Sequence, residues 1–153
     1  MSKQKRISDY VKIGKLPSGE LNKITDVKGI RVGHSTIKNE DNRTGVTVIL
    51  PSEKNMFTNK FEAASFVLNG YGKSVGLIQI DELGLLEAPI ALTNTLNVGK
   101  VLDAMIEYEI ELSAKEDEAI RSISIPVMEC NDSDINNIRN RAVSKEHVFE
   151  AIE

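Results

Sequence analysis

Three acids crowd the approach to one apolar run. Asp81, Glu82 and Glu87 precede Pro89-Ile-Ala-Leu92, and that run ends in Thr93-Asn94-Thr95. Carboxylates in such a place either pair with a ligand's ammonium group or stand in solvent and do nothing. The Asn94 amide and its flanking hydroxyls can orient a polar ligand or simply close a turn. Polar groups at a strand's carboxyl end are where open α/β sheets gather their ligand contacts. Other chemistry has less support. His34 follows Gly33 in a strand-like stretch, the setting of a structural histidine more than of a general base. Members of a Ser/His/Asp triad meet only in the fold, so spacing cannot argue for one. Asn69-Gly-Tyr-Gly72 lacks the Gly-Lys-Ser/Thr ending of a phosphate loop, and no helix is expected after it. Asp132 and Asp134 are spaced as in a calcium loop, but the loop's glycine and terminal glutamate are missing. No metal and no cofactor are expected.

Strands and helices must position these groups. Gly14 and Leu16-Pro-Ser-Gly19 signal turns, so residues 1–23 read as an arm or hairpin before the core. A tight turn at Lys28-Gly29 leads into a short strand reaching Ile37, and Thr44 to Leu50 is a β-branched strand stopped by Pro51. Residues 52–60 form a polar loop anchored at Met56-Phe57. Glu62 to Leu68 and Ser74 to Ile80 read as strands around the glycine-rich turn Asn69 to Lys73, a hairpin-like unit with antiparallel pairing. From Asn97, a candidate N-cap, Val98, Val101, Leu102, Met105 and Ile106 recur at helical spacing for about three turns. Glu107 to Glu118 holds six acids and one lysine and reads as a solvated helix end and loop. Arg121 to Met128 alternates like a strand, with Pro126 marking an edge or irregularity. Glu129 to Asp134 is an Asp- and Asn-rich turn, and Ser144 caps a last helix with Val148, Phe149 and Ile152 on its apolar side.

Composition narrows the class. A chain of 153 residues suits a single domain, and 41% hydrophobic with 27% charged residues is ordinary for a globular protein. A net charge of −4, and aromatic content of 5% without tryptophan, argue against nucleic acid and against an acidic membrane surface. No apolar run is long enough to span a bilayer, and the start lacks the apolar segment of a signal peptide, so a cytoplasmic location is expected. The single cysteine, Cys130, leaves no intrachain disulfide, and with only His34 and His147 a Cys/His zinc site is not expected.

Five collinear blocks carry a family resemblance. Leu21-Asn-Lys-Ile-Thr-Asp-Val-Lys-Gly-Ile-Arg-Val-Gly-His-Ser-Thr36 resembles the opening signature of the DmpA-type aminopeptidases, the L-aminopeptidase/D-esterase and β-peptidyl aminopeptidase family. Thr44-Gly-Val-Thr-Val-Ile-Leu-Pro51, Asn69-Gly-Tyr-Gly-Lys-Ser-Val-Gly-Leu77 and Glu82 to Thr95 continue the match in order. Glu129-Cys-Asn-Asp132, with Asn136-Asn-Ile-Arg139 close behind, completes it. The resemblance implies an α/β (α+β) fold, the N-terminal part of a four-layer α/β/β/α sandwich, with residues 1–153 a single domain that is the N-terminal part of the family's α-chain. It implies a precursor that cleaves itself before a serine, whose freed hydroxyl attacks amides or esters with its own α-amine as base. That serine and the groups around it fall outside the matched blocks, so no catalytic residue is expected in this chain. The expected partner is a second chain or segment carrying the nucleophilic serine. A homo-oligomer and small peptide or amide substrates, of L-, D- or β-amino acids, are expected as well. The segment Asp81-Glu82-Leu83 is similar to the family segment lining the substrate's amino end, with Asn94 a site-adjacent structural group. A non-catalytic oligomerising or binding module that keeps half of the fold is the alternative.

Overall fold

The computed structural model describes residues 10–12, 14–68, 71–117 and 119–153. In chain order its elements are β1 (Arg31–Lys38), β2 (Arg43–Leu50), β3 (Phe61–Glu62), α1 (Ile78–Leu83), β4 (Leu85–Leu86), β5 (Ile90–Asn94), α2 (Val98–Lys115), β6 (Val127–Cys130) and α3 (Lys145–Ile152). Alternation along β2 sets up the core: Val46, Val48 and Leu50 are buried, whereas Thr47 and Ile49 on the other face are half-buried. β1 and β2 pair antiparallel with Ser35 opposite Val46, joined by a turn in which the Asn39 side chain accepts from the Asn42 N–H at 2.8 Å. β5 adds antiparallel to β2, and β6 adds parallel to β5 with Asn94 opposite Cys130. Parallel neighbours need a long crossover, which α2 supplies. The sheet order is therefore β1-β2-β5-β6.

Helices α2 and α3 cover one face of this sheet. Val101, Ala104 and Met105 of α2 and Val148, Ala151 and Ile152 of α3 meet Val46, Val48, Ala91 and Val127 of the strands. Burying side chains of this size stabilises by roughly 1.5–3 kcal/mol each. The opposite face carries exposed His34, Thr36, Leu92 and Cys130. A second, smaller cluster joins Met56, Ile80 and Leu86, with β3 and β4 pairing beside it.

Several expectations need correction. Glu62 to Leu68 is not a strand: only Phe61–Glu62 pairs, with Leu85–Leu86, and Phe66, Val67 and Leu68 run exposed. β propensity reflects packing on a half-buried surface, and among the described residues this segment has no such surface. Ser74 to Ile80 is not a strand either. Val75 makes a single bridge to Val127, Gly76 then turns at φ +78°, and helix α1 follows. The expected hairpin across the Asn69 turn is therefore replaced by pairing of β3 with β4; Asn69-Gly70 itself lies outside the described residues. So do residues 1–9 and Ile13 of the expected arm, while residues 14–23 form neither strand nor helix. α2 runs five turns, not three, over 18 residues. Its entry is fixed by Asn94, whose side chain accepts from the Asn97 N–H at 3.1 Å; the Asn97 side chain makes no capping bond. Within the acidic run, Glu109 faces inward and is buried, and Glu118 lies outside the described residues. The strand expected from Arg121 begins only after Pro126, at the sheet edge, and Ser144 stands at the N-cap of α3 as expected.

Glu87 pins the smaller cluster to the sheet. Its carboxylate is buried, accepts from Lys60 Nζ at 2.7 Å and from the Ser124 N–H at 2.9 Å. Burial alone would raise its pKa; the bonds from Lys60, Ser124 and Gln79 outweigh that and hold it below the ordinary value. A carboxyl depressed in the fold contributes stability above its unfolded pKa and loses it as the pH falls through the folded value. Lys60→Met should therefore cost about 1–2 kcal/mol at neutral pH, discounted for the partly exposed lysine. In urea denaturation the gap to the parent chain should narrow below about pH 4; a constant gap would show that the carboxylate is not what Lys60 stabilises.

Candidate functional site at the ends of β5 and β6

The sheet's two parallel strands end side by side, and their last residues meet. Glu129, penultimate in β6, pairs in register with Thr93 of β5. One carboxylate oxygen accepts from the Thr95 hydroxyl and the other from the Lys73 N–H at 3.1 Å. The side chain is half-buried and faces a cavity of about 510 Å³, whose lining includes Phe66, Leu68, Tyr71, Met128 and Asn131. Lys73 does not neutralise it: its ammonium donates to the Tyr71 carbonyl at 2.5 Å and sits 4.2 Å from that ring's centroid. Among the described residues no ion pair includes Glu129. A carboxylate fixed at two points in a concave, largely apolar wall has the chemistry to accept a ligand cation.

Asn94 holds this corner together. It is buried, donates to Thr44 Oγ1 at 2.8 Å, and its oxygen accepts from both the backbone and the side-chain nitrogen of Asn97. The turn it closes is Thr95–Asn97, so Asn94 sets the hydroxyl that holds Glu129. The other sequence candidates lie elsewhere. Asp81, Glu82 and Leu83 sit exposed on α1, and none lines the Glu129 cavity. Asp81 accepts from the Ser65 hydroxyl at 2.5 Å. The structure thus joins Asn94 to Glu129 through Thr95, while Asp81–Leu83 stay exposed on α1 outside the lining of that cavity.

A second concavity of about 340 Å³ opens on the uncovered sheet face between His34, Thr36, Arg43, Thr47 and Cys130. His34 Nδ1 lies 2.8 Å from Thr47 Oγ1, its partner across the β1–β2 ladder, a structural pairing. His147 is used up at the start of α3: its Nδ1 takes the Ser144 N–H at 3.1 Å and lies 2.8 Å from the Ser144 hydroxyl. That is a helix cap rather than a nucleophile and base. Asp132 accepts from Asn136 at 3.0 Å, and among the described residues no cluster of three metal-ligating side chains forms.

Glu129 went unnoticed as a site residue because Asp and Asn around it gave a turn signal. Its position directly after the strand of Pro126-Val-Met128 was the available cue.

A model of peptidase family S58 matches residues 22–153. The chain is 37% identical over 145 residues to a beta-peptidyl aminopeptidase, BapA, of Sphingosinicella xenopeptidilytica, covering 88% of this chain and 35% of that protein. The corresponding protein of Sphingosinicella microcystinivorans is 32% identical over 144 residues, with the same coverage of 88% and 35%. Among solved structures, a Burkholderia beta-aminopeptidase superposes with a TM-score of 0.85 at 42% identity, covering 93% of this chain and 40% of that one. The L-aminopeptidase D-Ala-esterase/amidase of Ochrobactrum anthropi, a prototype serine aminopeptidase with a variant of the Ntn hydrolase fold, gives 0.78 at 26% identity, covering 91% and 41%. The chain spans about 35% of the length of the curated relatives it matches. Its sheet and two helices share the mixed α/β architecture of that Ntn-hydrolase variant. Matched in sequence from residue 22 onward and in backbone to solved aminopeptidases, the chain belongs to peptidase family S58.

Proposed function

We propose that this chain supplies the amine-binding wall of a self-processing serine aminopeptidase or amidase that releases N-terminal L-, D- or β-amino acids from short peptides, amides or esters. The attacking serine comes from a segment or second chain outside residues 1–153. The observation that carries this reading is Glu129: a carboxylate held by Thr95 and Lys73, with no ion pair among the described residues, facing a cavity. A substrate's free α-ammonium supplies the missing charge, and the scissile carbonyl is thereby held at a set distance from that carboxylate. Orientation of this kind is a large part of what an amidase needs from its binding wall. Glu129, rather than Asp81 or Glu82, takes the amine in this reading, and Asn94 acts as a positioning residue. Among the described residues no helix is long and apolar enough to cross a membrane, and we place the protein in the cytoplasm as a homo-oligomer.

Purified chain alone should leave p-nitroanilides of L-, D- and β-amino acids uncleaved. Turnover that tracks a single species of 153 residues through gel filtration and intact-mass analysis would overturn the assignment of the serine to another chain or segment. A second reading, a non-catalytic binding or oligomerising module, is favoured by the exposed apolar run of Phe66, Val67 and Leu68. Under that reading the native assembly contains only this chain and never acquires hydrolase activity.

A further inference from the structure

We infer that the small apolar pocket adjoining the Glu129 cavity receives the side chain of the residue whose amine Glu129 binds, so that the site selects a branched aliphatic N-terminal residue of leucine size. The inference rests on the amine-binding reading above and names its substrate class. The pocket encloses about 230 Å³ between Ala63, Leu77, Ile80, Leu86, Ile90 and Met128. That is below the roughly 300 Å³ at which pockets for whole ligands begin, and suits a side chain. It adjoins the Glu129 cavity, and Phe66, Leu77 and Met128 line both. An amine on Glu129 and a side chain in this pocket can therefore belong to one residue.

The pocket is a built feature of the fold. Ile80 and Leu86 are buried members of the smaller core cluster, against which Ala63, Leu77 and Ile90 pack. Its opposite wall is laced down at three places: Phe61 and Glu62 pair with Leu86 and Leu85, the Ala63 N–H donates to the Gly84 carbonyl at 2.9 Å, and Ser65 donates to Asp81. Asp81 thus acts as a positioning residue for the pocket wall. Among the described lining residues Ser65 is the one polar side chain, and its hydroxyl is already committed to Asp81. A lysine, aspartate or asparagine side chain entering there would lose its water without gaining a partner, a penalty that excludes it. An alanine leaves the pocket unfilled. Each added methylene in such a pocket is worth roughly tenfold or more in discrimination.

The test is an NMR titration of the isotopically labelled full chain with L-leucinamide and L-alaninamide as probes. Leucinamide should bind about tenfold or more tightly than alaninamide, with shifts at both Glu129 and Leu77. Glu129→Gln should weaken both probes. Ala63→Phe, which fills the pocket, should bring the affinity ratio of the two probes close to one. Leu77→Ala, which enlarges it, should turn preference toward phenylalaninamide, and it serves as the second variant should Ala63→Phe perturb folding. Equal affinity of the parent chain for the two probes overturns the pocket while leaving the amine anchor standing. Failure of both probes to bind overturns the anchor and the pocket with it. A leucinamide preference that survives Ala63→Phe and Leu77→Ala alike puts the side chain elsewhere and overturns the pocket alone.

Discussion

Replacing Glu109 by glutamine should stabilise the chain by roughly 3 kcal/mol at pH 8 and by almost nothing at pH 4. Glu109 lies on the inner side of α2 at 1% exposure, and among the described residues neither carboxylate oxygen has a hydrogen-bond partner. Burial, with a smaller contribution from Glu116, raises its pKa from 4.5 to about 7. The groups lining the small cavity beside it include Arg31 on β1, Lys54 and Glu53 in the loop after β2, and Tyr108 on α2 itself, yet none bonds to it. An acid whose folded pKa lies above its unfolded value binds protons more tightly when folded. Its protonated form carries no differential cost below the unfolded pKa. The cost grows as the pH rises between the two values and is complete above the folded one. The window here runs from 4.5 to about 7. Glu87, whose pKa is lowered, loses its own contribution below this window, so the quantity to follow is the difference between parent and variant. Urea midpoints for the two chains should converge at low pH and separate through neutrality. Parallel curves would mean that Glu109 finds a partner or water when ionised. Glu109→Leu should gain at least as much at pH 8, because glutamine still leaves buried polar atoms unpaired.

Gly33→Ala should cost about 3 kcal/mol, on the order of 10 °C in Tm for a chain of this size. The reason is contact. A Cβ at Gly33 would stand 1.9 Å from the Ala151 carbonyl oxygen and 2.9 Å from its carbon, so the last turn of α3 would have to lift off β1. The same turn carries Glu150, which accepts from the buried Ser35 hydroxyl at 2.6 Å, and the core residues Ala151 and Ile152. Lifting it would strain that bond and open the core. Gly99→Ala is the matching control. It lies in the first turn of α2 with nothing within 4 Å of an added Cβ, and should be neutral or stabilising by up to about 1 kcal/mol. Thermal melts of both variants decide the matter. A Gly33→Ala chain that melts with the parent would show that α3 is not seated on β1 as described.

How far the sequence could be read depended on whether a signal was local or needed a partner. β1 and β2 were legible as strands because β-branched residues bounded by the Lys28-Gly29 turn and by Pro51 are local signals, whereas their pairing with each other was not read. α2 was legible in its first turns because its apolar residues recur at helical spacing, and α3 because Ser144 and three apolar positions mark it. Glu62 to Leu68 and Ser74 to Ile80 misled for a common reason. Their β-rich composition describes a surface that packs, and whether a partner strand lies beside them depends on the rest of the fold. The positive φ at Gly76 then ends extension after one bridge. Inside the acidic run, composition could not show that Glu109 points inward, because the run continues the helix and the face of each residue follows from where the helix packs.

The candidate site divides in the same way. The sequence by itself determined the family, from five blocks in order, and it determined that polar groups gather at the end of the strand Ile90 to Asn94. Only the tertiary structure decided which carboxylate stands there. Asp81 and Glu82 precede that strand in the chain, but a helix and its glycine cap turn them onto an exposed surface. Glu129 lies 35 residues after Asn94, and the parallel pairing of β5 with β6 brings the two ends together. Strand pairing between distant segments is set by the burial of Ala91 and Val127 under the same helix, and no local spacing records it.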